Sequence, residues 1–194
     1  MRTALPVVCS LLLAPAAASA SDIAAVLAHP IFGELYSCTE HPQGSLRDLG
    51  DALGTDCFIQ RLVTVEGRTW MRAHANDGRD NADWYGWGKD VLSPCSCRVV
   101  KINVNPVVNQ PGVMGPPPPT FVMLERDDEV FFLLAHLGDL RVKVGDRVQS
   151  GEAIGRVGNN GQSRQPHIHI GAWRAGEPLQ IRFDQAAMGR LMQK

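Results

Sequence analysis

The sequence predicts a mainly β fold: a single antiparallel β-sheet or barrel-sandwich domain with a short helical extension at its N-terminus. The chain has 194 residues, of which 44% are hydrophobic, enough to form one core. Its 19 glycines and 13 prolines mark many turns, and frequent turns suit short strands better than long helices. Several short apolar segments rich in β-branched residues lie between these turns, as expected of strands.

Residues 1–20 have the parts of a secretory signal peptide. Arg2 gives the positive start, an apolar run follows, and Ala18-Ser19-Ala20 is a small-residue cleavage site. The run is shorter than the roughly 20 apolar residues that span a bilayer. We therefore expect cleavage after Ala20, export to the periplasm or the extracellular space, and no stable membrane insertion.

Helical signals lie at both ends of the remaining chain. Asp22 can cap a short apolar run, Ser45 with Asp48 resembles a capping box, and a helix is expected from Asp184 onward. The predicted organisation has four parts. These are a signal peptide (1–20), a helical extension (21–56), a β domain (57–183) and a C-terminal helix (184–194).

Within the β domain, strands and long irregular stretches alternate. Two of the irregular stretches, residues 76–88 and 105–119, are long enough to form the walls of a binding groove. The predicted strands cover residues 58–65, 99–104, 121–124, 130–134 and 167–173.

Four cysteines remain once the signal peptide with its Cys9 is removed. An even number in an exported chain predicts disulfides, and four cysteines allow three pairings. A bond between neighbours in Cys95-Ser96-Cys97 closes a very tight ring, so we expect both to pair with Cys38 and Cys57. A zinc site on this Cys-x-Cys is the alternative, but it lacks a second ligand pair at finger spacing.

Charge and composition exclude a nucleic-acid partner. The chain has 19 basic and 20 acidic residues, and so a formal net charge of -1. Proteins that bind nucleic acid need a basic surface, and single-strand binding also needs stacking aromatics, which are only 6% of this chain.

A pair of histidines marks the candidate site. His167 and His169 are two residues apart in a predicted strand, so their side chains share one face and can serve one metal and its bound water. Two solvated histidines on an edge strand are the alternative. His136 ends another predicted strand, where a lone histidine is more often structural.

The sequence around these histidines is similar to the LytM/lysostaphin-type zinc metallopeptidases. Their pattern is a His-Leu pair, a Gly- and Val-rich stretch, and then P-H-x-H. Here these elements are His136-Leu137, VKVGDRVQSGEAIGRVGNNGQS and PHIH. The segment GKDVLSP also resembles the family's G-x-x-V-x-A-P, so the similarity covers roughly residues 58–173.

The resemblance implies an exported zinc endopeptidase that cleaves the peptide cross-links of bacterial peptidoglycan. It implies that His169 is a zinc ligand. It also implies that His136 and His167 are catalytic histidines that orient and deprotonate the metal-bound water and stabilise the tetrahedral intermediate. A neutral imidazole is a suitable base for such a water.

The family completes its metal site with a His and an Asp four residues apart, and no His-x-x-x-Asp occurs in this chain. The positions at which the aspartate or its histidine is expected hold Val65 or Arg79. His74 and Asp83 are the remaining candidate ligands beside His169, and Asp56, Asp77 and Asp80 are other oxygens nearby. The alternative is a catalytically inactive domain that binds cell wall or activates a partner hydrolase.

Overall fold

The computed structural model describes residues 22–193, which form a curled, mostly antiparallel β structure with one α-helix. The mainly β fold class is confirmed, whereas the signal peptide and its cleavage site lie outside the described residues. The strands are β1 (Ala25–Ala28), β2 (Tyr36–Glu40), β3 (Thr55–Ile59), β4 (Arg61–Val65), β5 (Arg68–Arg72), β6 (Asp90–Leu92), β7 (Cys97–Asn103), β8 (Phe121–Glu125), β9 (Val130–Ala135), β10 (Leu137–Gly138), β11 (Arg147–Val148), β12 (Ala153–Val157), β13 (Ile168–Arg174) and β14 (Glu177–Phe183), and the helix is α1 (Gln185–Met192).

Strand β13 lies at the centre of the largest sheet, whose order is β1-β14-β13-β9-β8-β7-β11. The hairpin β2–β3 joins this sheet through the first half of β13, where Ile168 lies opposite Cys57. All β13 side chains except Arg174 are buried, so the strand has protein on both faces. Apolar residues such as Phe132, Leu134 and Ile170 fill the core around it and fix the strand rigidly.

The predicted helical extension over residues 21–56 is wrong, because this segment forms strands. Val26 and Ala28 of β1 point into the core while their neighbours face outward, and β1 pairs in parallel with β14. The capping signals at Ser45 and Asp48 fall in turns between β2 and β3. Pairing with an existing sheet edge outweighs a weak local helix preference.

The predicted strand over residues 58–65 is divided at Gln60. Its first part belongs to β3 in the main sheet, and its second part is β4, which pairs only with β5 in a separate hairpin. The Gln60 amide donates to the carbonyl of Leu35, in register with the β2–β3 ladder, and the chain enters the second hairpin directly after it. The other predicted strands agree with the structure within a few residues.

Helix α1 follows β14 at the C-terminus, where the sequence predicts a helix. The carboxylate of Asp184 accepts hydrogen bonds from the amides of Ala186 and Ala187, which caps the first turn. Within residues 22–193, no helix combines the length and the apolar character needed to cross a membrane.

The disulfides join Cys38 to Cys57 and Cys95 to Cys97, so the predicted cross-pairing is wrong. Cys38 and Cys57 lie directly opposite each other in the β2–β3 ladder, with their Cα atoms 4.1 Å apart. The β2–β3 ladder therefore brings the members of this pair together. Cys95 and Cys97 are both buried, and the Cα atoms of this pair are 5.4 Å apart.

We expect the two disulfides to contribute unequally to stability. Cys38–Cys57 closes a sequence separation of 19 residues. The entropy that this bond removes from the denatured state corresponds to about 3 kcal/mol of unfolding free energy. Cys95–Cys97 closes a separation of 2 residues and corresponds to roughly half of that. Urea unfolding of Cys38→Ala/Cys57→Ala and of Cys95→Ala/Cys97→Ala measures the contribution of each disulfide to the unfolding free energy. Equal losses of unfolding free energy would contradict this expectation.

Candidate active site

Four segments meet at the start of β13 and form the candidate active site. Strand β13 supplies His169, and His167 comes directly before the first residue of that strand. Strand β3 supplies Asp56, which lies opposite His169. Strand β9 ends opposite the same histidine, which brings His136 alongside. The loop between β2 and β3 supplies His41 and passes over Asp56 and His169. The site thus depends on strand pairings between residues far apart in the chain.

The structure brings together the three histidines singled out from the sequence. The ring centroids of His136 and His167 are 4.7 Å apart, and those of His136 and His169 are 6.4 Å apart. Each side chain is buried, with relative exposures of 8%, 6% and 5% for His136, His167 and His169. Three buried imidazoles in mutual contact are costly unless their polar atoms have partners.

The Asp56 carboxylate is the shared partner of the site. Its Oδ1 lies 2.9 Å from Nδ1 of His169 and 3.5 Å from Nε2 of His167. Its Oδ2 lies 3.4 Å from Nε2 of His41. Although burial acts to raise it, hydrogen bonds from His167 and His169 hold the pKa of the Asp56 carboxyl far below its usual range. The carboxylate is therefore ionised at neutral pH.

Both ring nitrogens of His169 contact protein oxygens. Nδ1 donates to Asp56, and Nε2 lies 2.8 Å from the Gly50 carbonyl oxygen and 3.3 Å from a carboxylate oxygen of Asp51. Burial opposes the charged imidazolium, but the hydrogen bonds to Asp56 and to the Gly50 carbonyl, together with the charges of Asp56 and Asp51, raise the pKa of His169 above its ordinary value. The ring is oriented from both sides.

His136 is held in a different protonation state. Its backbone has φ 67°, in the left-handed region that few non-glycine residues adopt, and such strain is concentrated at functional sites. Nδ1 lies 2.8 Å from the Asn160 carbonyl oxygen and must donate to it, which leaves Nε2 as an acceptor. Burial, reinforced by the neighbouring His167, lowers the pKa of His136 to about 3. This imidazole is neutral at physiological pH.

His167 is fixed by the loop that precedes β13 and by stacking. Its Nδ1 lies 2.8 Å from the carbonyl oxygen of Gln165 and 3.2 Å from Oγ of Ser163. The ring stacks on Phe58 with centroids 5.0 Å apart. Nε2 of the same ring lies 3.5 Å from Oδ1 of the Asp56 carboxylate.

A metal-capable group of three residues lies at this centre. Nitrogen or oxygen atoms of His41, Asp56 and His169 all fall within 4.8 Å of one another. Two imidazoles and a carboxylate are a typical protein ligand set of catalytic zinc. Sequence reasoning missed His41. The signal that could have found it is the opposition of Cys38 and Cys57, which fixes the hairpin that carries both His41 and Asp56.

His74 and Asp83 are not brought to His169. The His74 ring packs against Trp84, with centroids 4.9 Å apart, and the two residues form an isolated β-bridge. The Asp83 carboxylate accepts a hydrogen bond of 2.7 Å from the Asn76 side chain. The group of described residues that can hold a metal contains neither residue. Their role as zinc ligands stays a prediction.

The histidines lie in a cleft of about 590 Å³. One wall is the β2–β3 loop with its exposed Leu46 and Leu49, and the other carries Met114 and Pro119 from the predicted wall segment 105–119. The second predicted wall, residues 76–88, contributes no lining residue. The cleft therefore has apolar side chains on two walls, a polar segment at residues 162–165, and imidazoles at its base.

Comparison with known proteins gives a family match over residues 82–181, to a model described as Peptidase family M23. No curated protein matches the chain. The fold is similar to that of the catalytic domain of lysostaphin from Staphylococcus simulans, with 21% identity, a TM-score of 0.43, and coverage of 80% of this chain and 92% of that domain.

Two longer chains also match. Lysostaphin from Staphylococcus simulans gives 26% identity over 45% of this chain, with a TM-score of 0.37. A zinc containing peptidase from Vibrio cholerae gives 17% identity over 70% of this chain, with a TM-score of 0.39. The match spans 33% of the first of these chains and 49% of the second.

Proposed function

Since the chain belongs to peptidase family M23, we propose that it is an exported, zinc-dependent endopeptidase that hydrolyses the peptide cross-links of bacterial peptidoglycan. The observation that carries this proposal is the donor set at the base of the cleft. Two imidazoles and one ionised carboxylate converge there from two strands and a loop, beside two further buried imidazoles. A purely structural cluster does not need an open cleft above it.

The residues present fit a zinc ion. His41, Asp56 and His169 would hold it, because catalytic zinc takes three protein ligands and keeps one position open. When bound, zinc supplies a Lewis acid that polarises the substrate carbonyl and lowers the pKa of its water to about 7. The chain itself orients these ligands, because the pairing of β13 with β3 fixes His169 opposite Asp56.

His136 and His167 are proposed to handle protons and charge beside the metal. Neutral His136 is anchored through Nδ1, so its free Nε2 can accept a hydrogen bond and orient a water molecule within the cleft. His167 is anchored in the same way to Gln165 and Phe58, so its Nε2 keeps one direction during the reaction. The burial of both rings keeps bulk water from competing for them.

A non-catalytic domain that binds cell wall or activates a partner hydrolase is the second candidate. The sequence lacks the family's His-x-x-x-Asp. Both ring nitrogens of His169 also have protein oxygen partners, so the cluster satisfies its own hydrogen bonds. The two candidates differ in zinc content and in hydrolysis.

Metal analysis of the purified protein and of matched histidine variants tests the proposal. We expect nearly one zinc per chain in the wild type and in His74→Ala, and zinc loss in His41→Ala and His169→Ala. Release of peptides from purified peptidoglycan should follow the zinc content. His74 is a suitable control because it is partly buried and packed on an aromatic ring, but lies outside the metal-capable group.

Two other results would contradict this assignment. Zinc that is retained in His41→Ala and lost in His74→Ala would assign the ligands to the segment predicted from the sequence. A wild-type protein that binds peptidoglycan, but neither holds zinc nor releases peptides, would establish the non-catalytic candidate.

A further inference from the structure

One positive charge stands at the rim of the cleft. Among the described residues that line it, Arg164 is the one lysine or arginine. Its side chain is exposed, and no carboxylate of the described residues lies within ion-pair distance of it. The acidic groups of the cleft, Asp51 and Asp56, are engaged with histidines instead. Arg164 is thus a cation available to a bound molecule.

The backbone that carries Arg164 is held in place. Its carbonyl accepts a hydrogen bond of 2.6 Å from the amide of Gly112, and its Nη1 donates to the Gly112 carbonyl at 3.2 Å. The preceding Ser163 is buried, and its carbonyl accepts from the Asn109 side chain at 2.8 Å. A ligand that binds this guanidinium therefore does not have to order the backbone that carries it.

The rest of the cleft surface has no other lysine or arginine. Leu46, Leu49 and Met114 are apolar, and the polar residues beside Arg164 are uncharged, so Arg164 is the feature that distinguishes a carboxylate-bearing substrate residue from a neutral one. Arg164 precedes His167 by three residues, which limits their Cα separation to about 11 Å. An extended peptide covers that distance in about three residues.

We propose that Arg164 selects peptides that carry a free carboxylate within about three residues of the scissile amide. The planar guanidinium matches a carboxylate bidentately, and its single weak bond to Gly112 leaves donors free. This inference rests on the proposed peptidase function and names the charge of its substrate. The ligand chemistry is a carboxylate on a peptide, from a side chain or from a chain end.

Paired synthetic peptides test this selection. Each pair is identical except for a glutamate or a glutamine at one of the three positions on either side of the scissile amide. We expect the glutamate peptide of at least one pair to be cleaved with about tenfold higher kcat/KM, and Arg164→Gln to reduce that ratio to about one. Arg164→Glu should reverse the preference toward a lysine peptide. Arg174→Gln, an exposed arginine outside the cleft, should keep the wild-type ratio.

Binding of the same peptides, measured by fluorescence anisotropy, separates the two proposals. Equal cleavage of both members of every pair by the wild type would overturn the role of Arg164 and leave the peptidase function standing. Absence of cleavage, together with glutamate-dependent binding that Arg164→Gln removes, would overturn the peptidase function and leave the carboxylate site standing.

Discussion

Replacing Gly171 with alanine is expected to lower peptidoglycan hydrolysis by at least about 100-fold. An added Cβ at Gly171 would lie 1.8 Å from the carbonyl oxygen of Gly50, so the loop that passes over β13 would have to move away. The same carbonyl accepts the hydrogen bond from Nε2 of His169. A displacement of about 1 Å at a catalytic group is enough for a loss of this size.

Two further glycine variants make this result interpretable. Gly54→Ala places its Cβ 2.8 Å from Cε1 of His169, a ring atom, and should give a smaller loss in the same direction. Gly33→Ala meets no atom within 4 Å and should leave hydrolysis unchanged. Hydrolysis rates and thermal unfolding of all three are the measurements. Wild-type activity in folded Gly171→Ala would show that the loop position does not matter for the site.

The histidine centre could be predicted from sequence because it depends on short-range rules. In a strand, residues two apart share a face, which places His167 and His169 side by side wherever the strand lies. The strand that ends at His136 is strongly apolar, so its burial next to another core strand could also be expected. In the structure the ring centroid of His136 lies 4.7 Å from that of His167 and 6.4 Å from that of His169.

The N-terminal half of the site could not be predicted because it depends on long-range pairing. Asp56 faces His169 across a ladder between residues 113 positions apart, and no local pattern marks that register. Weak capping signals in residues 21–56 also favoured helix over strand. Once β2 and β3 pair, Cys38 meets Cys57, and the loop between them is carried to the cleft. Tertiary contacts, rather than local propensity, determine the secondary structure of this segment.

Replacing Asp56 with asparagine is expected to lower zinc affinity by at least about 100-fold and to abolish hydrolysis. Asparagine keeps the shape of the side chain, but it loses the negative charge, and its amide nitrogen cannot accept the bonds of His41 or His169. Loss of an outer partner of a metal ligand already costs about 10–100-fold in affinity. Competition with a chromophoric chelator measures the affinity. Asp51→Asn is the matched control, because the Asp51 carboxylate is half exposed and lies 3.3 Å from His169 outside the three-residue group.

Unfolding of Asp56→Asn in the presence of a chelator distinguishes a metal ligand from a structural anchor. Three imidazoles lie within 3.5 Å of the Asp56 carboxylate, so the variant should lose stability even without metal. A ligand role requires a second effect, since added zinc stabilises the wild type by mass action and should not stabilise the variant. Equal stabilisation of both proteins by zinc would show that Asp56 only positions the histidines, and that the metal is held elsewhere.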